Sequence, residues 1–194
     1  EATSIAIRLS QAYTNRDDII VILGGYNGWQ NEVARVVNPE LNQLGERKSP
    51  AEYPFVPASA GISEAVTSKV HVVNFNDLES IKYVMNKYDI ACAITEPVLQ
   101  NIGVIFPDTG YLQGLIDLCE SYGALCIFDE VKTGFRTAIN GYQGTQNLRP
   151  HLSVFGKAVA NGYPMGVVGG SKEVMSLFYH PDHGRRVFSA GTYN

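Results

Sequence analysis

The sequence predicts an α/β fold, a mostly parallel sheet sandwiched by helices. Three observations carry that prediction. Short apolar runs recur along the chain, "DIIVIL", "DIACAIT" and "ALCIF" among them, with the length of strands buried on both faces. Stretches with helical spacing separate most of these runs, as in a sheet covered on both sides. The chain has 194 residues and 45% hydrophobic content, ample for the core of one domain of ordinary size.

Each element follows in order. "EATSIAIRLSQAY" sets Ala2, Ile5, Ala6, Leu9, Ala12 and Tyr13 on one helical face. No capping signal precedes Glu1, so we read the sequence as an excised piece of a longer chain. "DIIVIL" and "KVHVVNF" are strands, and Asp77 is placed to cap the helix carrying Leu78, Ile81, Val84, Met85 and Tyr88. "DIACAITEP" is a strand. The stretch from Asp108 to Tyr122 is a helix with Leu112, Leu115, Ile116 and Cys119 inward. "ALCIFDEV" is the clearest strand, "HLSVFG" and "MGVVGG" are two more, and "KEVMSLFY" is a helix. "VFSAGTYN" stops just after a strand-like run. The stretch from Asn38 to Ala65 breaks the rhythm. Its Pro39, Pro50, Pro54 and Pro57 suggest a long surface excursion with local packing of its own.

Composition narrows the function. A formal net charge of −4 argues against a nucleic-acid or membrane-surface role, which favours a basic face. No apolar run reaches the roughly 18 residues of a membrane helix. No charged-then-apolar leader opens the sequence as given. Cys92, Cys119 and Cys126 each sit in an apolar pattern, as reduced core thiols do, and the expected location is cytoplasmic.

In a parallel sheet, ligands gather at the carboxyl ends of strands. The strand ends here deliver Tyr26 and Asn27 in "GGYNGW", Glu96 in "TEP", Asp129 and Glu130 in "FDEV", and Lys157 in "SVFGK". Asp129 follows five uncharged residues, so it is expected to be at least partly buried, and a buried carboxylate needs a cation or donors. Two readings stand: a salt bridge or cap within the fold, and a partner for a cationic ring nitrogen on a bound cofactor. Lys157 also has two readings. Its amine reaches solvent or a carboxylate, or it is buried and unpaired, which leaves a nucleophile able to condense with aldehydes. Gly156 and the turn "NGYPMG" favour the second, because they leave room close to the backbone.

Together these residues resemble the class III (subgroup II) aminotransferases, pyridoxal-phosphate enzymes of fold type I. Within that family the look is nearest to the glutamate-1-semialdehyde aminomutases. "EAT" looks like the end of the family's phosphate-binding turn, "GGYNGW" like its Tyr-His-Gly segment, and "NFNDLES" like its Tyr-Asn-Asp-Leu-Glu stretch. "EPVLQNIG" resembles its Glu-Pro-Val loop. "FDEVKTGFR" and "FGKAVANGYPMG" resemble its two most specific motifs, and the separation 157 − 129 = 28 suits them.

The resemblance implies that residues 1–194 form the pyridoxal-phosphate-binding large domain, with an amino-terminal segment and a carboxyl-terminal small domain lying outside it. Lys157 would hold pyridoxal 5'-phosphate as a Schiff base and then act as the base at the substrate carbon. Asp129 would keep the ring nitrogen protonated. Val131 and Tyr26 would pack on the two ring faces, Asn101 would donate to the phenolic oxygen, and Glu96 would order that side. Thr192 would reach the phosphate of a neighbouring subunit, which implies a homodimer. Substrates would be a small-molecule amine and an oxo acid or aldehyde, and the amine would go to a second substrate (transaminase) or return to the same skeleton (aminomutase). Two departures stand out. Asn27 replaces the usual histidine, and Lys132 stands where many relatives have an uncharged side chain.

Other features have simpler readings. "HPDHGRR" reads as a solvated polar loop rather than a metal site. "GGYNG" and "GVVGGS" lack the spacing of a dinucleotide fingerprint, so a nucleotide-dependent enzyme ranks last. Arg136 reads as a structural ion pair behind the loop after Asp129, and Trp29 as a packing residue. A non-catalytic binding module of the same fold is opposed by the presence of both Lys157 and Asp129.

Overall fold

The structure, a computed structural model, describes residues 1–191. Among these, α1 (Ala2–Thr14) precedes β1 (Asp18–Ile22). The long excursion follows, with the short helices α2 (Leu41–Leu44) and α3 (Glu64–Thr67). Then come β2 (Val70–Val73), α4 (Leu78–Lys87), β3 (Ile90–Thr95), α5 (Tyr111–Tyr122) and β4 (Leu125–Asp129). The chain continues through α6 (Gly141–Thr145), β5 (Leu152–Phe155), a 3-10 turn over Lys157–Ala160, β6 (Val167–Gly170) and α7 (Lys172–Met175).

The strands form one sheet in the order β2-β1-β3-β4-β5-β6. β1 to β5 are parallel and β6 runs antiparallel to β5. The connection 156–166 contains no helix able to carry the chain across a sheet face, so the chain turns back beside β5. Alternation along each strand divides the core. Ile19 and Val21 face the layer that holds Ala6, Ile7 and Leu9 of α1 and Val174 of α7. Ile20 and Ile22 face the layer of Ile81 and Val84 from α4 and Leu115 and Cys119 from α5. Both faces are covered, which is why the strands read as continuous apolar runs.

The chain leaves β1 for β2 on one side of it, then returns to β3 on the other. That reversal opens a crevice at the carboxyl ends of β1 and β3, where open α/β sheets hold ligands.

Several expectations shift by local chemistry. Asp77 caps α4 as expected, accepting from Ser80 N at 2.9 Å. α5 begins at Tyr111 rather than Asp108, because Gly110 adopts φ 85° and breaks the helical path before it. In α1, Tyr13 is 42% exposed, while Ile7 joins the buried face. The helix expected over "KEVMSLFY" tightens after Met175 into a 3-10 turn, Ser176–Tyr179. Residues 187–191 add no strand: Val187 is buried and donates to the Leu177 carbonyl instead. The excursion is pinned by bridges from Arg35 to Pro57 and from Tyr53 to Val72. Buried Glu52 adds a bond at 2.8 Å to His71 Nδ1, whose Nε2 meets Asp18 at 2.9 Å.

Candidate active site

Four strand ends converge on one cavity of about 760 Å³. After β1, Gly24 takes φ 86° and turns the chain so that Tyr26 and Asn27 line that cavity. β3 brings Glu96, whose carboxylate accepts from Tyr26 N at 2.8 Å and so ties the two sides of the crevice together. β4 brings Asp129 and then Val131, and β5 brings Lys157. Tyr26, Asn27, Glu96, Asp129, Val131 and Lys157 therefore share one cavity wall, with Lys132 beside them.

Asp129 is 4% exposed. Its Oδ2 accepts from Asn27 Nδ2 at 2.9 Å and its Oδ1 from Val131 N at 3.1 Å. Burial pushes its carboxyl up to about 6, and the negative charge of Glu96 adds to that. The bonds from Asn27 and Val131, and the positive charge of Lys157, oppose the rise. Each oxygen holds only one of these donors, so the carboxylate keeps acceptor capacity toward the cavity.

Lys157 is exposed on the cavity wall, not buried as the apolar run around it suggested. The run is apolar because its neighbours pack, while the lysine turns out of the core. Its backbone sits in the left-handed region at φ 49°, a conformation that disfavours a residue with a Cβ by about 1–2 kcal/mol. Strain of this kind gathers where a side chain must be aimed.

The Asn101 amide lies behind Glu96 rather than on the cavity wall. Its Nδ2 donates to Glu96 Oε1 at 3.0 Å and its Oδ1 accepts from Lys132 Nζ at 2.6 Å. Lys132 thus pairs with an amide. Thr192 lies outside the described residues.

Glu130 emerges on the opposite side of β4 from Asp129. It is fully buried and accepts from Thr133 Oγ1 at 2.6 Å and from Tyr142 N and Gln143 N at 2.8 Å each. Of the three strand-end carboxylates, two face the cavity and this one holds the loop after β4. The ion pair expected of Arg136 is absent among the described residues. Arg136 is exposed, and Glu130 secures that loop in its place. Trp29 is 83% exposed at the cavity wall rather than packed. His180 and Asp182 make turn bonds in an exposed loop. Cys92, Cys119 and Cys126 are buried free thiols, and burial pushes Cys92 up to about 12, which leaves it inert.

One buried side chain behind the site escaped the sequence reading. Arg35 is 3% exposed and lies behind Asn27. Its guanidinium donates to the carbonyls of Ile22 and Gly25 at 2.7 Å each, to Val33 O at 3.1 Å and to Asn27 Oδ1 at 3.2 Å. Burial pulls it down to about 10, while Glu96 and Asp129 support its charge. The signal was present: an arginine inside "VARVV" is as anomalous as a lysine inside "VFGKAV".

This arrangement can hold a planar cationic heterocycle against a carboxylate, with an amine on the same cavity. Comparison with known proteins gives the family. The family model described as aminotransferase class-III matches residues 1–191. The glutamate-1-semialdehyde 2,1-aminomutase of Thermosipho africanus is 42% identical over 179 residues, 91% of this chain and 40% of its own length. That of Legionella pneumophila is 38% identical over 99% of this chain and 42% of its own. The chain thus spans about two-fifths of these relatives. An omega-transaminase from Sphaerobacter thermophilus superposes with a TM-score of 0.86 at 30% identity, over 99% of this chain and 43% of its own. A transaminase solved with PLP bound gives 0.81 at 29% identity, over 100% of this chain and 44% of its own. With the family model spanning all of the described residues and the strand-end residues gathered on one cavity, the chain belongs to the class-III aminotransferase family.

Proposed function

We propose that the protein containing this chain transfers an amino group between a small-molecule amine and an oxo acid or aldehyde, with pyridoxal 5'-phosphate held on Lys157. The observation that carries this reading is the shared cavity of Lys157 and Asp129, an accessible amine and a nine-tenths-buried carboxylate. The donor set fits the cofactor. Asp129 keeps acceptor capacity for a protonated ring nitrogen, Tyr26 and Val131 line the cavity as partners for the ring faces, and Lys157 supplies the amine. Glu1, Ala2 and Thr3 at the start of α1 also line the cavity, and backbone N–H groups in a first helical turn suit a phosphate.

The cofactor, when bound, supplies an electron sink that lowers the barrier to losing a proton from the substrate carbon. The chain's own residues do the rest. Asp129, as an anion, stabilises positive charge on a ring nitrogen. The Lys157 amine, when free, would take a proton at the substrate carbon and return it. Glu96 fixes the Tyr26 backbone, and with it the aromatic side of the cavity.

A second reading, return of the amine to the same carbon skeleton, is favoured by one observation. The relatives at 38% and 42% identity are aminomutases, whereas the solved structures near 30% are transaminases. Supplying amine donor and oxo acceptor singly and together separates the two. Turnover that requires both is transamination, and turnover of one alone is the mutase.

We further propose a homodimer with the site shared across the interface. Trp29, Met165 and Tyr26 are 83%, 48% and 44% exposed at the cavity and support a cover from a second chain. No helix among the described residues is long and apolar enough to cross a membrane. A cytoplasmic location is supported by the three buried free thiols.

A further inference from the structure

We infer that Arg35 is a positioning residue, and that its guanidinium fixes which end of the Asn27 side chain faces Asp129. This deepens the proposed function and rests on Asp129 serving as the anion of that site.

A carboxamide has a donor end and an acceptor end, and the two have nearly the same shape. Asn27 is 2% exposed, so no solvent competes to orient it. On one side lies Arg35 Nη2, 3.2 Å from Oδ1. On the other lies Asp129 Oδ2, 2.9 Å from Nδ2. A guanidinium has no acceptor, so only the carbonyl oxygen of Asn27 can face it. The amide nitrogen is then forced toward Asp129, where it donates to the charged form of the carboxylate. Turned over, the amide would set an oxygen against a carboxylate and an NH₂ against a cation, two repulsive contacts in place of two bonds.

Arg35 can do this because it is itself immobile. Its three backbone contacts come from the end of β1 and from the loop that follows, 22–33. Gly25 makes the space: a Cβ there would stand 3.3 Å from Arg35 Nη2 and 3.2 Å from Ile22 O. No carboxylate lies within salt-bridge distance of the guanidinium among the described residues. Its charge is left to act through Asn27 and across space on Asp129 and Glu96. A histidine between these two groups would gain and lose a proton over the working pH range. An asparagine cannot, so here the orientation is set once, by the arginine.

The test uses the full-length protein in its cofactor-free form, with the Asp129 carboxyl followed by carbon NMR across pH. Arg35→Met and Asn27→Leu should each raise the Asp129 midpoint by about one pH unit or more and weaken pyridoxal 5'-phosphate about tenfold at neutral pH. A residue that merely holds up the fold would change the melting temperature and leave that midpoint where it is. Asn27→Leu keeps every Arg35 contact to backbone, so it reports even if Arg35→Met does not fold. In the wild-type chain the Arg35 Nη and Asn27 Nδ2 protons should be protected from exchange and should shift together at the Asp129 midpoint. An unmoved midpoint in a folded Arg35→Met or in Asn27→Leu, or Arg35 and Asn27 protons indifferent to the Asp129 titration, overturns the inference. The titration needs no cofactor, so it stands apart from the functional reading. Wild-type protein that fails to bind pyridoxal 5'-phosphate would sink that reading and leave the titration intact.

Discussion

Glu130 follows Asp129 in the chain and turns its carboxylate the other way, off the cavity that Asp129 lines, into three hydrogen bonds from Thr133 Oγ1, Tyr142 N and Gln143 N. The pleat of β4 imposes this: successive side chains leave a strand on opposite faces. One carboxylate therefore serves the site and its neighbour serves the fold. Glu130→Ala should destabilise the protein by about 3 kcal/mol, because three donors lose a charged acceptor in a buried place. Urea unfolding checks it, and a loss below about 1 kcal/mol would contradict the assignment.

Gly134 tests the same loop from the other side. A Cβ there would lie 2.5 Å from Phe155 Cδ1 and 2.8 Å from the Glu130 carbonyl, and that carbonyl cannot move without disturbing the end of β4. Gly134→Ala should cost about 2–3 kcal/mol through overpacking. It should also weaken cofactor binding, since β4 carries Asp129. Unfolding and cofactor titration on one variant measure both, and wild-type values in both would contradict the close approach.

Asp129 should leave a mark on stability in the cofactor-free protein. Its carboxyl rises from the ordinary 3.8 to about 6 on folding. A raised folded value means that the native state holds its proton more tightly than the unfolded chain does. The favourable contribution is therefore complete below about pH 4 and lost as pH rises through about 6. Relative to Asp129→Asn, wild-type protein should lose about 3 kcal/mol from well below pH 4 to well above pH 6, about 2 kcal/mol of it between pH 4 and 6. Denaturant midpoints across that range check it, and parallel curves for the two proteins would contradict it.

Glu52 has the opposite sign. Burial pushes its carboxyl up, but the bonds from His71 and Ser49 more than offset that and hold it below its ordinary 4.5. A depressed folded value contributes stability above the unfolded value, lost as pH falls through the folded one. Glu52→Gln should lower stability at neutral pH and flatten the acid limb below about pH 4.5. An acid limb as steep as that of wild type would contradict the role given to this carboxylate at the foot of β1 and β2.

The two carboxylate predictions also show what could be read from sequence. Asp129 was legible because five uncharged residues precede it, so its burial followed from the strand. The strand ends were legible because runs such as "DIIVIL" and "ALCIF" fix where a parallel sheet stops. Lys157 was located correctly, but its exposure was not, since a run of small residues does not say which way a turn throws its one long side chain. The direction of Glu130 could have been had from the two-residue period of the strand. The Glu52–His71 bond could not, because only the path of the 38–65 excursion brings Glu52 to β2, where His71 already meets Asp18 through the pairing of β1 and β2. Arg35 falls between these cases. Its apolar setting was visible, but its partner Asn27 is chosen by a turn whose course depends on Gly24 and Gly25.

The central claim is that Lys157 is the amine that carries the cofactor, opposite a carboxylate held ready by β4. Lys132 lines the same cavity and is the natural competitor. Full-length protein loaded with pyridoxal 5'-phosphate, reduced with borohydride, digested and mapped by mass spectrometry decides between them. The account predicts the reduced cofactor on the peptide containing Lys157 and its loss in Lys157→Ala. Label on Lys132, on another lysine, or on none would contradict it.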